Sequence, residues 1–157
     1  MDALVALGLS IGILIAGWTY VALGPGALPV WAGIVAWGCF FAAGGKMQGL
    51  TKTIASNLSG VLWAFLALTA WNSFGGGVPV LSILVGLAAL FMVLQAKIPA
   101  LGFIPGAFLG AATAVSVVVG ANGSWSRTIV ALVAGAVLGY LSEMLAGAMT
   151  KPKQAAV

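Results

Sequence analysis

The chain has 157 residues, of which 62% are hydrophobic and 5% charged, with a net charge of +4. Soluble domains carry about 25% charged residues, so the composition excludes a soluble globular domain and leaves an integral membrane protein built as one bundle. Five of the six basic residues fall at helix ends, where they act as topology signals and not as a nucleic-acid surface. One cysteine, Cys39, and no histidine exclude a disulfide framework and the usual zinc or haem ligand sets.

A membrane-crossing helix needs about 20 apolar residues, and six segments approach that length. The first, Ala3 to Leu23, follows Met1-Asp2 with no basic leader region and ends without a small-residue cleavage pattern, so it reads as a retained helix and not a cleaved signal. GPGALP separates it from a shorter second segment, Pro29 to Gly44. GGKMQGLTK leads into the third, Thr53 to Trp71, and NSFGGGVP into the fourth, Val78 to Ala96. AKIPA precedes the fifth, Leu101 to Gly120, and GANGSWS the sixth, Arg127 to Met149. Residues 1–150 thus form a single six-helix domain, with 151–157 as a short cytoplasmic tail.

The connections alternate in chemistry. Lys46, Lys52, Lys97, Lys151 and Lys153 fall on one side and only Arg127 on the other, so the positive-inside rule places both termini in the cytoplasm. Trp31, Trp71 and Trp125 lie near the opposite helix ends, as an interfacial aromatic belt requires.

The odd-numbered segments also align. ALGLSIGILIA, IASNLSGVLWA and IPGAFLGAATA match small residues at three levels: Gly8, Ser56 and Gly106; Gly12, Gly60 and Gly110; Ala16, Ala64 and Ala114. The even segments echo this with Ala32, Ser82 and Ala131, followed by Ala36, Gly86 and Gly135. Such small-xxx-small faces let helix backbones approach closely in lipid. A spacing of about 50 residues, one helical hairpin, predicts three hairpins around a pseudo-threefold axis.

Catalysis has no candidate: there is no histidine, no paired carboxylate and no base near the serines. FGGGVP lacks the strand-to-helix context of a phosphate loop and reads as an external turn. What remains is polarity within the helices. Ser56, Asn57 and Ser59 offer hydrogen bonds, Trp63 narrows a route beside them, and Gln95 ends the fourth segment. Glu143 is the one acid inside a membrane segment, a costly placement that marks a functional candidate. It sits two turns from Lys151, so a carboxylate reaching the headgroup region and a bond between helices remain alternatives to a mouth-lining role. These six residues are the candidate solute path, although each also suits interhelical hydrogen bonding worth about 0.6 kcal/mol.

Two resemblances enter here. WAGIVAWGCFFAAGG, SNLSGVLWA and LQAKIPALGFIPGAFLGA together resemble the YcdZ-like family of small bacterial inner-membrane proteins, a domain of unknown function. That implies a multi-pass protein of the bacterial inner membrane and brings no substrate. The expected three-hairpin layout is also similar to the urea and short-amide channels, whose oligomeric rings hold one pore per protomer behind aromatic constrictions. That second likeness is one of architecture alone. Together these readings predict a passive channel or facilitator for a small neutral polar solute of the urea, amide or ammonia type, in a homo-oligomer embedded in the lipid bilayer and without cofactor. A membrane scaffold or accessory subunit, or a cation- or proton-linked transporter using Glu143, is the alternative.

Overall fold

The computed structural model describes residues 1–150; the expected tail at 151–157 and the lysines Lys151 and Lys153 lie outside the described residues. Among these residues the fold is all-helical: α1 (Ala3–Leu23), α2 (Val30–Ala42), α3 (Lys46–Phe74), α4 (Gly77–Leu94), α5 (Ile104–Val115) and α6 (Trp125–Met149). Two 3-10 turns, Gln95–Lys97 and Pro99–Leu101, join α4 to α5, and a π-helical turn, Ser116–Gly120, continues α5. Four helices, α1, α3, α4 (with its following turn) and α6, are long and apolar enough to cross a membrane, while α2 and α5 are shorter apolar helices. Large apolar side chains such as Leu4, Ile13, Val78 and Ile83 point outward, as a lipid-facing surface requires.

Local chemistry accounts for most of the ends. Asp2 caps α1, its carboxylate accepting from the Leu4 and Val5 amides at 2.9 and 3.2 Å. The triple glycine Gly75–Gly77 has positive φ at all three positions, which permits the tight reversal from α3 to α4. α3 begins two turns earlier than the sequence suggests, so Lys46 and Lys52 lie within the helix.

The helices pair differently from the expected pseudo-threefold ring of hairpins. α3 packs most extensively on α5, and α2 on α6; α1 lies mainly on α6, and α4 on α3. α3 meets α5 through small residues: a Cβ on Gly60 would collide with the Ala107 carbonyl, and one on Gly110 with the Asn57 carbonyl. α2 meets α6 in the same way, with Gly135 set on the Gly33 carbonyl. By contrast Gly8 and Gly12 on α1, and Gly86 on α4, have nothing within 4 Å of an added Cβ. The small residues shared by α3 and α5 therefore arise because the two helices form one interface and need close approach at matching levels.

The pairing is twofold. Exchanging α1, α2, α3 for α4, α5, α6 turns the α2–α6 contact into the α5–α3 contact, and the α1–α6 contact into the α4–α3 contact. The sequence follows the same exchange. Ala3 and Gly77, which open α1 and α4, are 74 residues apart, as are Gly33 and Ala107 at the two close contacts. Gly60 and Gly135 are 75 apart, and so are the fully buried Thr53 and Thr128 and the neighbouring Lys52 and Arg127. Three helices per half give the two halves opposite directions, the inverted-repeat arrangement.

Substitution of Gly60 or Gly135 by Val will force α3 from α5 or α6 from α2, at about 1–3 kcal/mol for overpacking. Gly12→Ala and Gly86→Ala will be neutral or will stabilise by up to about 1 kcal/mol through helix propensity. Thermal unfolding in detergent distinguishes the two sets.

Candidate functional site

The six candidate residues fall into three places. Ser56 and Asn57 share a buried face of α3 with Thr53, at 0%, 1% and 0% exposure respectively. This face looks across to α5, where Gly106 abuts the Ser56 side chain and Gly110 abuts the Asn57 backbone. α2 adds the buried thiol of Cys39, alongside the Asn57 amide. Four polar atoms here have no hydrogen-bond partner: the hydroxyls of Thr53 and Ser56 and both ends of the Asn57 amide. A thiol is too weak a donor and acceptor to replace a partner, and leaving a buried polar group unpaired costs about 1–3 kcal/mol.

Ser10, Ser142 and Thr128, also buried, are satisfied. The Ser10 hydroxyl donates to the Ser142 carbonyl at 2.8 Å, the Trp37 indole to the Ser142 hydroxyl at 3.1 Å, and Ser142 to the Gly139 carbonyl at 2.6 Å. This network ties α1, α2 and α6 together. The Thr128 hydroxyl, the counterpart of Thr53 in the other half, donates to the Ser124 carbonyl at 2.9 Å. Among the described residues, the fully buried side-chain polar atoms without a partner are those of Thr53, Ser56 and Asn57.

Ser59, Trp63 and Gln95 form a separate unit between α3 and α4. The Trp63 indole donates to Gln95 Oε1 at 2.9 Å, Gln95 Nε2 donates to Ser59 at 2.9 Å, and Ser59 donates to the Ser56 carbonyl at 2.7 Å. Trp63 also stacks on Phe91 with ring centres 5.0 Å apart. It lines an apolar groove of about 170 Å3 between the two helices. Its polar contacts join α4 to α3.

Glu143 lies at the far end of α6, where its Oε2 accepts from the Lys46 backbone amide at 2.6 Å. The Gly45 that precedes α3 carries no side chain to cap it, and Lys46 itself has φ +56°. A carboxylate from a distant helix therefore supplies the negative charge that the α3 N-terminus favours. This is the interhelical bond anticipated as one alternative for Glu143. Its partner, set 97 residues away, carries no local sequence signal.

A second cavity, about 210 Å3, opens at the opposite end of the bundle between the α1–α2 turn and the α5–α6 turn. Its lining includes Trp31, Val117, Ser124 and Arg127. The sequence carries no local signal of this vestibule, because its walls come from turns far apart in the chain. Among the described residues no group of three or more His, Cys, Asp or Glu could hold a metal ion.

The sequence profile described as Protein of unknown function (DUF1097) matches residues 8–147. The chain belongs to this family. It is 32% identical over 142 residues to the inner membrane protein YcdZ of Escherichia coli, covering 89% of this chain and 83% of that protein. It is 33% identical over 153 residues to YahC of Escherichia coli, covering 91% and 90%. The inner membrane protein YcdZ of Salmonella typhimurium is 33% identical over 144 residues, with 89% and 85% covered. No solved structure matches, and the likeness to urea channels, which rested on a three-hairpin ring, finds no support.

Glu143→Ala will expose the first turn of α3. Loss of a cap costs about 0.5–2 kcal/mol, read as faster hydrogen exchange at the amides of residues 46–50. Glu143→Gln keeps an acceptor and will lose less protection.

Proposed function

We propose that this DUF1097 protein lets a small uncharged polar solute cross the bacterial inner membrane, with Thr53, Ser56 and Asn57 as the point of contact. The unpartnered state of these three side chains carries the reading. Together they offer hydroxyl groups and an amide that can donate and accept at once, which complements urea, a short amide or a similar solute. The facing helices α2 and α5 carry no charged residue, as suits a neutral cargo. Catalysis remains without a candidate group, and no cofactor is invoked.

The proposed topology places the termini in the cytoplasm. Glu143 near the end of α6 meets the start of α3, so Lys46 and the N-terminal region of α3 share one end of the bundle. α4 returns alongside α3 and brings Lys97 toward that end, while Arg127 opens α6 at the other. The positive-inside rule then assigns the lysine end to the cytoplasm. The small residues Gly8, Gly12 and Ala16 on α1 are exposed, which supports association with a second copy in a homo-oligomer.

The packed interior fits a path that is closed in this conformation. Asn57→Leu is the decisive variant, because Leu132 occupies the corresponding place on α6 and is buried at 1% exposure. Stopped-flow swelling of proteoliposomes with urea, formamide, acetamide and glycerol should show permeability above that of empty vesicles for at least one solute. The Asn57→Leu protein should lose about tenfold of that permeability, equivalent to about 1.4 kcal/mol, while keeping or raising its melting temperature. Permeability equal to empty vesicles for every solute would favour a scaffold that only assembles in the membrane.

A further inference from the structure

In the two inverted halves, corresponding segments have different arrangements at the two ends of the bundle. At the lysine end, α3 is extended by the turn Lys46–Gly49, and Glu143 of α6 ties that turn down through the Lys46 amide. Gly45 is buried against the Glu143 carboxylate, and Gly49 against the Phe40 backbone. At the Arg127 end, the corresponding residues Ala121–Ser124 are not helical, α6 begins only at Trp125, and the vestibule of about 210 Å3 stands open. One end is tied through Glu143 and the other carries the vestibule, on the same repeated framework.

The two short helices occupy matching places. α2 and α5 are 13 and 12 residues long, each begins beside a proline (Pro29 and Pro105), and each packs by its small residues against a long helix of the other half. Short or interrupted helices in equivalent positions of inverted repeats mark the place where a solute is held and where the halves move. Here they flank the unpartnered face of α3, with Cys39 on α2 and Gly106 and Gly110 on α5.

We infer that the two halves exchange these arrangements, so that Thr53, Ser56 and Asn57 are reached from one end at a time, and that Glu143 is the latch holding the lysine end shut. The inference rests on the proposed solute passage and adds its mode: a carrier with two alternating faces in place of a continuous pore. In the described arrangement α5 covers the polar face, and the Arg127 end, with its vestibule, is the unlatched end. Release of the Glu143 carboxylate from the Lys46 amide frees the first turn of α3 and opens the lysine end. The inverted pairing then allows the Arg127 end to close as its counterpart does here. Glu143 is a positioning residue in this scheme and does not touch the solute.

Cys39 reports the exchange directly, because it is the single cysteine of the chain, is 1% exposed, and lies beside Asn57. The full-length protein is reconstituted in proteoliposomes of known orientation and exposed briefly to silver ion on one side. The fraction of Cys39 protected from a maleimide added after denaturation is then measured. In the native protein, protection should be faster from the Arg127 side. Glu143→Ala should raise the rate from the lysine side severalfold and lower the rate from the Arg127 side. Glu143→Gln, which retains an acceptor and guards against misfolding, should shift both rates in the same directions by less. Unchanged rates in a folded Glu143→Ala protein, or rates that rise together from both sides, would overturn the inference. Solute swelling is read on the same vesicles. Passage that persists with unshifted Cys39 rates overturns the inference and leaves the solute reading standing, whereas opposed rate shifts without passage of any solute uphold the exchange and remove the solute reading.

Discussion

Close contact between backbones, at two places related by the inverted repeat, sets the terms for everything else in this fold. Lipid tails are as apolar as leucine, so helices in a bilayer gain little by burying apolar side chains against one another. Association depends instead on packing, and packing here runs through Gly60 on the Ala107 carbonyl, Gly110 on the Asn57 carbonyl and Gly135 on the Gly33 carbonyl. These contacts draw the short helices α2 and α5 into the middle of the bundle while α1 and α4 stay outside. They also leave no room at the contact for bulk water, so a polar side chain on a contacting face must find its partner within the protein.

That demand divides the buried polar residues. Ser10, Trp37 and Ser142 answer it together, and Thr128 answers it through the Ser124 carbonyl one turn back. Ser59, Trp63 and Gln95 answer it between α3 and α4. On the face formed by Thr53, Ser56 and Asn57 the same solution is missing, although α3 is continuous there and its backbone is sound. The deficit is one of side-chain chemistry, concentrated within little more than a turn of helix.

Much of this was legible in the chain, and the remainder was hidden for physical reasons. The bounds of α1 follow from Asp2 and the glycines after Leu23, both local signals. The start of α3 is hidden because Lys46 and Lys52 read as loop, whereas a helix continues past the hydrocarbon when its end is capped, and the cap comes from Glu143 far along the chain. Small residues at Gly60 and Gly110 were visible as a matched pair, but a match in sequence does not separate two copies of one unit from two partners in one interface. Here the contact explains the match. The inverted relation is fainter because it preserves Gly60 with Gly135 and Thr53 with Thr128 while most side chains between them differ. Asn57, legible in the sequence as a polar side chain in an apolar segment, is also the residue whose amide lacks an oxygen or nitrogen partner at both ends.

The repeat gives that last point its force. Two halves with the same backbone pairing offer two equivalent positions on their long helices, and at one of them, Leu132, a buried apolar side chain joins the core with Trp18, Ala36 and Ala136. Leucine thus fits the inverted framework at the equivalent position of the other half. Asparagine at position 57 cannot be explained by packing alone, since the framework holds without an amide on the other side of the axis. Its only polar neighbour is the weak Cys39 thiol of α2, which does not replace an oxygen or nitrogen partner. A group kept polar where the fold accepts an apolar one, beside hydroxyls equally without partners, has its use outside the static packing. A solute that supplies the missing hydrogen bonds turns the local cost into binding, and the closeness of α5 to this face explains why such a solute reaches it only when the halves move.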